Sequence, residues 1–288
     1  MNKFTRVASL WFLAFTNCSG FEEAFVIPHQ TISASAGHTC AITAEGKVVC
    51  WGNNNFGQAA PPSSGRFVSV SAGNSHTCAL SEQGSIVCFG SNEFGQANAP
   101  EGRFLSVCAG KDHTCAIKDD HTMVCFGSNQ QGQCTPPQGA FIHVSCGLYD
   151  TCAIKDDKSV VCFGATNSPP AGKLHYIDLG DFHWCGIALD GAVVCGGSNG
   201  YGQASPPSIK AKQVSAGGHH SCAITPDNKV MCWGSNTYNQ ASAPEGTFLQ
   251  VSAGYSHTCA VTTDAKVKCW GSMSDRKLEV LDETFALP

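Results

Sequence analysis

Charged residues are scarce in this sequence, and the charge balance is acidic. Asp, Glu, Lys and Arg make up 14% of the 288 residues, whereas about 25% is usual in globular chains. The 17 basic and 22 acidic residues give a net charge of −5, so the sequence lacks the basic excess typical of nucleic-acid binding. Hydrophobic residues at 42% still supply a core, which excludes general disorder.

Long apolar segments are also missing. The nine-residue run Val7–Phe15 follows Lys3 and Arg6 and precedes small or polar residues, a layout typical of a secretory signal peptide. A bilayer-spanning helix needs about 20 apolar residues, so we expect no membrane insertion. We expect residues 1–20 to be removed near Gly20 and the chain to be secreted to the extracellular space. A buried N-terminal helix or strand is the alternative.

Signatures of catalysis and metal binding are missing as well. We identify no nucleophile elbow, phosphate-binding loop or His-Glu metal helix, in keeping with the absence of a helical period. No C-x-x-C spacing occurs, which disfavours zinc. We therefore expect no enzyme activity, no cofactor and no metal. A pair of carboxylates that meet only in space, as in glycosidases, stays open as an alternative.

Cysteine is abundant, with 18 residues, and most of it belongs to a repeat. One phrase recurs seven times: a Val-Ser-Ala-Gly-like segment, His-Thr-Cys-Ala-Ile, a short turn, Val-x-Cys, an aromatic-Gly pair and Asn-x-x-Gly-Gln. The copies are centred on residues 34–62, 70–99, 107–136, 144–170, 177–206, 214–243 and 251–272. Because the copies leave only short ends, we expect residues 21–288 to form a single domain.

The repeat predicts short strands and no helices. In the first copy, Thr39–Thr43 and Lys47–Trp51 are β-prone and are joined by Ala44-Glu45-Gly46, where glycine suits the left-handed last position of a three-residue hairpin loop. Four such strands fit into one copy. Strand-only repeats of this length are typical of propellers. We predict an all-β fold, a seven-bladed β-propeller, with an open β-solenoid as the rival.

A propeller needs a closing element that hides its sheet edges. Thr31-Ile32-Ser33 near one end of the chain and Leu278-Glu279-Val280 near the other both resemble the segment between repeats, such as Phe104-Leu105-Ser106. We predict that one terminal segment pairs beside the other and completes the ring.

Two cysteines stand ten residues apart in every copy. With a three-residue loop at 44–46, Cys40 faces Cys50 across the hairpin, at a Cα separation of about 4.5–5.5 Å that a disulfide can span. We predict one such disulfide in each blade, with free buried thiols as the alternative. The remaining predicted pairs are Cys78 with Cys88, Cys115 with Cys125, Cys152 with Cys162, Cys185 with Cys195, Cys222 with Cys232, and Cys259 with Cys269.

Three further cysteines lie outside this spacing. Cys108 and Cys146 occupy the Ser and Ala positions of the Val-Ser-Ala phrase in adjacent copies, and Cys134 follows a Gly-Gln step. The sequence does not decide which of them pair, and an odd number leaves at least one thiol free or intermolecular.

The phrase resembles the repeat of a known family. Val251–Val261 followed by Trp270-Gly271, and Trp51-Gly52 followed by the Asn54–Gln58 segment, are similar to the regulator-of-chromosome-condensation superfamily. The resemblance covers all seven copies and implies a seven-bladed propeller. The short repeats with paired cysteines are similar to its secreted branch, which includes β-lactamase-inhibitory propellers and the ectodomains of crinkly-type receptor kinases.

A histidine stands two residues before the first cysteine in six copies, and Asp150 takes its place in the fourth. These histidines are His38, His76, His113, His183, His220 and His257. Equivalent atoms of a propeller lie too far apart around its axis to share a metal ion. We therefore expect each ring N–H to bind the turn of its own blade.

The positions that change between copies are free for a ligand. A variable pair lies between the glycine and the histidine position of copies two to seven, and the first copy lacks it. The same slot in each blade should fall on one face and form a ring near the axis. We select as ligand-binding candidates the aromatic residues Tyr149, Phe182 and Tyr255, with Leu148, Lys111, Asp112 and His219 as neighbours. The alternative is that these side chains pack against the next blade.

A second variable slot is mostly aromatic, and we expect it to serve packing. It holds Phe56, Phe94, Gln131, Tyr201 and Tyr238. The fourth and fifth copies depart most from the pattern, with Ser168-Pro169-Pro170 in the fourth and Gly196-Gly197 in the fifth.

The function that these features favour is a secreted, non-catalytic module that binds an extracellular protein or peptide through one face of the propeller. A carbohydrate-binding lectin with a glycan as ligand is one alternative. An enzyme inhibitor resembling the β-lactamase-inhibitory propeller is the other. No nucleic-acid partner is expected.

Overall fold

The computed structural model describes residues 29–165, 170–272 and 283–288. Within these residues the chain forms seven antiparallel sheets of three strands each. The strands, in chain order, are β1 Ile32–Ala34, β2 His38–Ile42, β3 Val48–Gly52, β4 Phe67–Ala72, β5 His76–Ser81, β6 Ile86–Gly90, β7 Phe104–Ala109, β8 His113–Lys118, β9 Met123–Gly127, β10 Phe141–Cys146, β11 Asp150–Lys155, β12 Val160–Gly164, β13 Leu174–Leu179, β14 His183–Ala188, β15 Val193–Gly197, β16 Gln213–Ala216, β17 His220–Ile224, β18 Val230–Gly234, β19 Phe248–Ala253, β20 His257–Thr262 and β21 Val267–Gly271.

Each successive group of three strands is one blade. The first strands of neighbouring blades contact each other around the whole circle, and β19 of the last blade contacts β1 of the first. The sheets therefore form the predicted seven-bladed propeller. None of the described residues forms a helix able to cross a membrane. The predicted signal peptide, residues 1–20, lies outside the described residues.

Each described blade has three strands rather than the predicted four. After β3, the amide of Gln58 accepts from the Phe56 N–H and the amide of Asn54 accepts from the Ala59 N–H. Side-chain oxygens thus accept the backbone N–H groups of this stretch, which forms a compact loop instead of a fourth strand.

The two ends of every blade differ. In blade one, His38 lies opposite Gly52 and Ile42 opposite Val48, so the turn between β1 and β2 and the loop after β3 lie at the same end. We call this end of the blades the turn face. The opposite end, with the loops between second and third strands, is the hairpin face. There Gly46 and Asn228 take the predicted left-handed conformation, with φ of 79° and 62°.

The hydrophobic core is divided among the blade interfaces. At the first interface, Cys40, Ile42 and Val48 pack against Phe67 and Val70 of the next blade. Similar clusters occupy the other interfaces. Because the apolar surface is buried between blades, hydrophobic burial stabilises the ring as a whole rather than any single blade.

A ladder of hydrogen bonds joins the first strands around the axis. In blades one and two, the Ala72 N–H donates to Ser33 Oγ at 2.9 Å. The equivalent bonds run from Ala109 N to Ser71 Oγ, from Leu179 N to Ser145 Oγ, from Ala216 N to Asp178 Oδ2, from Ala253 N to Ser215 Oγ and from Ala34 N to Ser252 Oγ.

All seven predicted disulfides within blades are present, with Cα separations of 4.0–4.1 Å. An eighth disulfide joins Cys108 to Cys146. It links blade three to blade four at the interface where the serine of the axial ladder is missing, so a covalent bond replaces a hydrogen bond. Cys134 is a free thiol, and burial raises its pKa to about 11.

The two chain ends close the ring inside blade one. Ile32–Ala34 supplies β1, as expected for the N-terminal segment, and Phe285 bridges to Thr43 beside it. The Phe285 N–H donates to the Ala265 carbonyl of blade seven at 2.8 Å, and the Ala286 N–H to Ile42 of blade one at 2.9 Å. The first blade is therefore a composite of both ends. The predicted C-terminal partner, Leu278–Val280, lies outside the described residues.

The disulfide between blades three and four gives a first prediction. The chain-entropy model assigns about 4 kcal/mol to a cross-link that closes a loop of this length, here a separation of 38 residues. We expect the double variant C108A/C146A to lose about 4 kcal/mol of unfolding free energy in guanidinium titrations. The variant C108S/C146A restores the serine of the axial ladder and should recover about 1 kcal/mol. Equal stability of the two double variants would show that the serine bond does not form there.

Candidate functional site

A histidine and a hydroxyl residue join neighbouring blades at six of the seven interfaces. His38 Nε2 lies 2.7 Å from Thr77 Oγ1 of the next blade, and Thr77 Oγ1 donates to the Gln58 carbonyl oxygen at 2.8 Å. Since that hydroxyl has one hydrogen and gives it to the carbonyl, the histidine donates from Nε2. The equivalent pairs are His76 with Thr114, His113 with Thr151, His183 with Ser221, His220 with Thr258 and His257 with Thr39.

The expectation that each ring N–H binds the turn of its own blade was wrong, although His38 Nδ1 also lies 3.0 Å from Ser35 Oγ in its own turn. The ring of His76 packs beneath its own turn, where a Cβ on Gly73 would lie 2.6 Å from its Cε1. Its Nε2, however, bonds to the next blade. Burial lowers the pKa of His76 to about 3 and that of His113 to about 4. These two histidines are therefore neutral near pH 7, and their role is to link the blades.

The interface between blades four and five lacks this pair. Asp150 stands at the histidine position and Trp184 at the hydroxyl position, so both partners are replaced together. Trp184 pairs across the strands with Gly196, and a Cβ at position 196 would lie 2.5 Å from Trp184 Cζ2. The indole therefore requires the glycine, and the large aromatic residue has moved from the third strand to the second.

This altered interface opens as a cleft of about 560 Å³ on the turn face. Tyr149 and Asp150 line it from blade four, and Asp181, Phe182 and Trp184 from blade five. Burial raises the pKa of the Asp181 carboxyl to about 6. The walls of the cleft are thus aromatic and acidic, which distinguishes it from the apolar interfaces elsewhere in the ring.

The selected candidate residues fall into two groups on the turn face. In the first group, Lys111 Nζ donates to Tyr149 Oη at 2.8 Å and lies 3.7 Å from Asp112 Oδ2. The hydrogen bond that Lys111 donates to Tyr149, together with the nearby Asp112 charge, raises the pKa of the Lys111 ammonium. Leu148 lies apart from this contact and lines the small opening of the central axis.

In the second group, aromatic rings from three blades lie side by side. The His219 ring stacks on Phe182 with centroids 5.4 Å apart and meets Tyr255 edge-on at 5.5 Å. Tyr201 extends the group, with its centroid 4.9 Å from His219. About half of the Phe182 surface and 44% of the Tyr255 surface remain exposed. We call these four residues the aromatic cluster.

The second variable slot does not serve packing, contrary to the prediction. Its aromatic members Phe56, Phe94, Tyr201 and Tyr238 are 47–59% exposed. They lie in the loops that follow the third strands, and these loops reach the turn face because Gly52 lies opposite His38. The turn face therefore bears two concentric sets of exposed aromatic rings.

Three residues of this region were not among the selected candidates: Asp181, Trp184 and Tyr201. A signal for Trp184 was present in the sequence, since the His-Thr step fails in two adjacent copies. A string matching G-x-S-x-G also occurs at Gly196–Gly200, and Ser198 lines the cleft. No helix follows it, and Ser198 Oγ accepts from Gln203 Nε2 at 3.4 Å, so it is no nucleophile elbow.

One group of potential metal ligands occurs within the described residues. Atoms of His113, Cys115 and Cys146 lie within 4.8 Å of one another. Both sulfurs belong to disulfides, so neither offers the thiolate that binds a metal.

The repeat matches a known protein family. The model of the regulator of chromosome condensation (RCC1) repeat matches residues 30–58, 67–96, 104–133, 211–240 and 248–276, just over half of the chain. The chain belongs to the RCC1 repeat family. The matched segments fall in blades one to three, six and seven. Blades four and five, which form the cleft, lie outside these segments.

Solved structures share the propeller. The CRINKLY WD40 ectodomain of the Arabidopsis thaliana receptor kinase ACR4 is 26% identical, with a TM-score of 0.74 over 88% of this chain and 98% of that one. The ectodomain of the Physcomitrella patens receptor kinase CR4 is 22% identical, with a TM-score of 0.74 over 84% and 73%. Yeast RCC1 (Prp20), in a structure with Kap60, is 14% identical, with a TM-score of 0.70 over 98% and 90%. The comparison with curated proteins gives no match.

The buried histidines predict acid sensitivity. Burial lowers the pKa of His38, His113 and His183 to about 4, and of His76 and His220 to about 3. Between pH 6.5 and 4 the unfolded chain therefore takes up protons that the folded chain does not. Each histidine should remove ~1.4 kcal/mol of stability per pH unit as the pH falls through this window. Asp178 and Asp181, whose pKa burial raises to about 6, act in the opposite direction but are fewer.

Urea unfolding midpoints measured from pH 7.5 to 4 test this prediction. The variant His220→Gln, which keeps a hydrogen-bond donor for Thr258, should show a shallower fall than the unmodified protein. Parallel pH profiles for the two proteins would contradict a neutral, buried His220.

Proposed function

We propose that this RCC1-repeat propeller is a non-catalytic module that binds a protein or peptide through its turn face. The observation that carries the proposal is the aromatic cluster, Phe182, His219, Tyr255 and Tyr201, which is half-exposed beside the cleft between blades four and five. Exposed aromatic side chains in contact with one another are typical anchors of protein interfaces.

The rigidity of the scaffold supports this function. The aromatic cluster spans blades five, six and seven, and each blade is held by its own disulfide and by the histidine links described above. Side chains presented on a fixed frame lose less conformational entropy when a partner binds.

We propose that the protein works outside the cell. The described residues form eight disulfides. Disulfides persist in oxidising compartments and are rare in the cytosol. The apolar run Val7–Phe15 fits a secretory leader. The similarity to two receptor-kinase ectodomains is consistent with this location.

Binding is tested with the oxidised protein immobilised and exposed to extracellular fluid from its source. We expect the double variant F182A/Y255A to reduce capture of the bound partner by roughly tenfold or more, because both anchors leave the same interface. Identification by mass spectrometry, followed by titration of the purified partner, gives the affinity. Glycosidase treatment of the fluid separates a protein ligand from a glycan, since only glycan recognition is lost.

A matched control lies on the same face. Phe56 and Phe94 are 56% and 47% exposed and belong to blades one and two, which contribute no residue to the cluster. The variant F56A/F94A should capture the partner as the unmodified protein does. Equal losses in both double variants, or none in either, would refute the assignment of the aromatic cluster.

The location is tested on the product recovered from the medium of producing cells. Intact mass spectrometry should show a chain that begins near residue 21 and has lost two hydrogens for each of eight disulfides. Recovery of an intact leader with freely alkylated thiols would contradict both the leader and the oxidising compartment.

A further inference from the structure

The cleft between blades four and five combines three properties: aromatic walls, a carboxylate and an opening to solvent. Tyr149 and Phe182 are 42% and 50% exposed at its rim, and Trp184 lies deeper, over Gly196. A side chain that enters the cleft therefore meets aromatic side chains at the rim and deeper inside.

One polar group of this cleft, the carboxylate of Asp181, has no bonding partner in the part of the chain that the structure describes. It is half-buried, and within the described residues its oxygens take part in no hydrogen bond or ion pair. Burial accordingly raises its pKa to about 6. A carboxylate removed from water without a partner is costly, and a cation that enters the cleft removes that cost.

The distribution of charge favours a cation at this face. Apart from Lys111, the basic residues of the described part lie at or beside the hairpin face. They are Lys47, Arg66, Arg103, Lys118, Lys155, Lys158, Lys173, Lys210, Lys212, Lys229, Lys266 and Lys268. The turn face carries the acids Glu93, Asp112, Asp150 and Asp181. The four acids outnumber the one base of this face, Lys111, which is paired with Asp112 at 3.7 Å.

We propose that the cleft between blades four and five binds an arginine side chain of the partner, with the guanidinium on Asp181 and against the rings of Phe182 and Trp184. This inference rests on the proposed binding function and names the residue that the partner presents. A guanidinium is planar, is weakly hydrated and stacks on aromatic faces, whereas an ammonium is compact and strongly hydrated. It can also donate two parallel hydrogen bonds to one carboxylate.

The test uses a small probe, so that it does not depend on finding the partner. The ¹⁵N-labelled oxidised protein is titrated with acetyl-Gly-Arg-Gly-amide, and the indole N–H signal of Trp184, assigned with the variant W184F, is followed. Comparison peptides carry citrulline, which keeps the shape without the charge, or lysine. We expect the arginine peptide to bind at least about tenfold more tightly than the citrulline peptide, the size of one charged hydrogen bond.

Matched variants separate the Asp181 contact from the general acidity of the face. Asp181→Asn should weaken arginine-peptide binding by roughly tenfold, while Glu93→Gln, on the same face in blade two and outside the cleft lining, should change it by less than about twofold. Unfolding midpoints of both variants, measured alongside, show that the fold is kept. Equal binding of arginine and citrulline peptides, equal binding of lysine, or an unchanged Asp181→Asn variant would each overturn the proposal.

The outcome is independent of the partner-capture experiment. If F182A/Y255A loses the partner but the arginine probe does not bind, the arginine site is wrong and the binding face stands. If the probe binds but neither F182A/Y255A nor Asp181→Asn changes partner capture, the proposed function fails and only a local cation site remains.

Discussion

The neutral histidine that donates to a hydroxyl of the next blade is the interaction on which this propeller depends. It ties the second strand of one blade to the second strand of its neighbour, and through the hydroxyl to the loop carbonyl between them. With one such link at six interfaces, the ring keeps its shape even where one interface departs from the pattern. The fold therefore tolerates the departure at Asp150 and Trp184, and the cleft lies at the interface where the histidine link is absent.

Much of this fold could be predicted from the sequence because its determinants are local. The ten-residue cysteine spacing and the loop ending in Gly46 fix a hairpin register, and the disulfide between Cys40 and Cys50 follows from it. Contacts between blades could not be obtained in the same way. A periodic sequence does not say whether His38 bonds within its own copy or to Thr77 of the next. The disulfide between Cys108 and Cys146 likewise depends on how adjacent first strands align, which spacing alone leaves open.

The candidate site was predicted in part. The variable pair does lie on one face near the axis, because the turn between first and second strands is the same in every blade. Which rings meet could not be predicted, since Phe182, His219 and Tyr255 come from three blades and touch only after the sheets pack. The exposure of Phe56 and Phe94 was also missed, because a repeated aromatic residue suggests packing when its loop direction is unknown. The result is a rigid propeller whose exposed aromatic contacts and cleft are concentrated in blades four to seven.

The composite first blade has a consequence for how the molecule is made. Each hairpin can form its disulfide as soon as both of its cysteines have been synthesised, because they are only ten residues apart in the chain. Closure must wait, since Phe285 completes a blade whose other strands begin at Ile32. During synthesis the growing protein is thus an open arc with one unfinished edge, and circular closure is the last event of its folding.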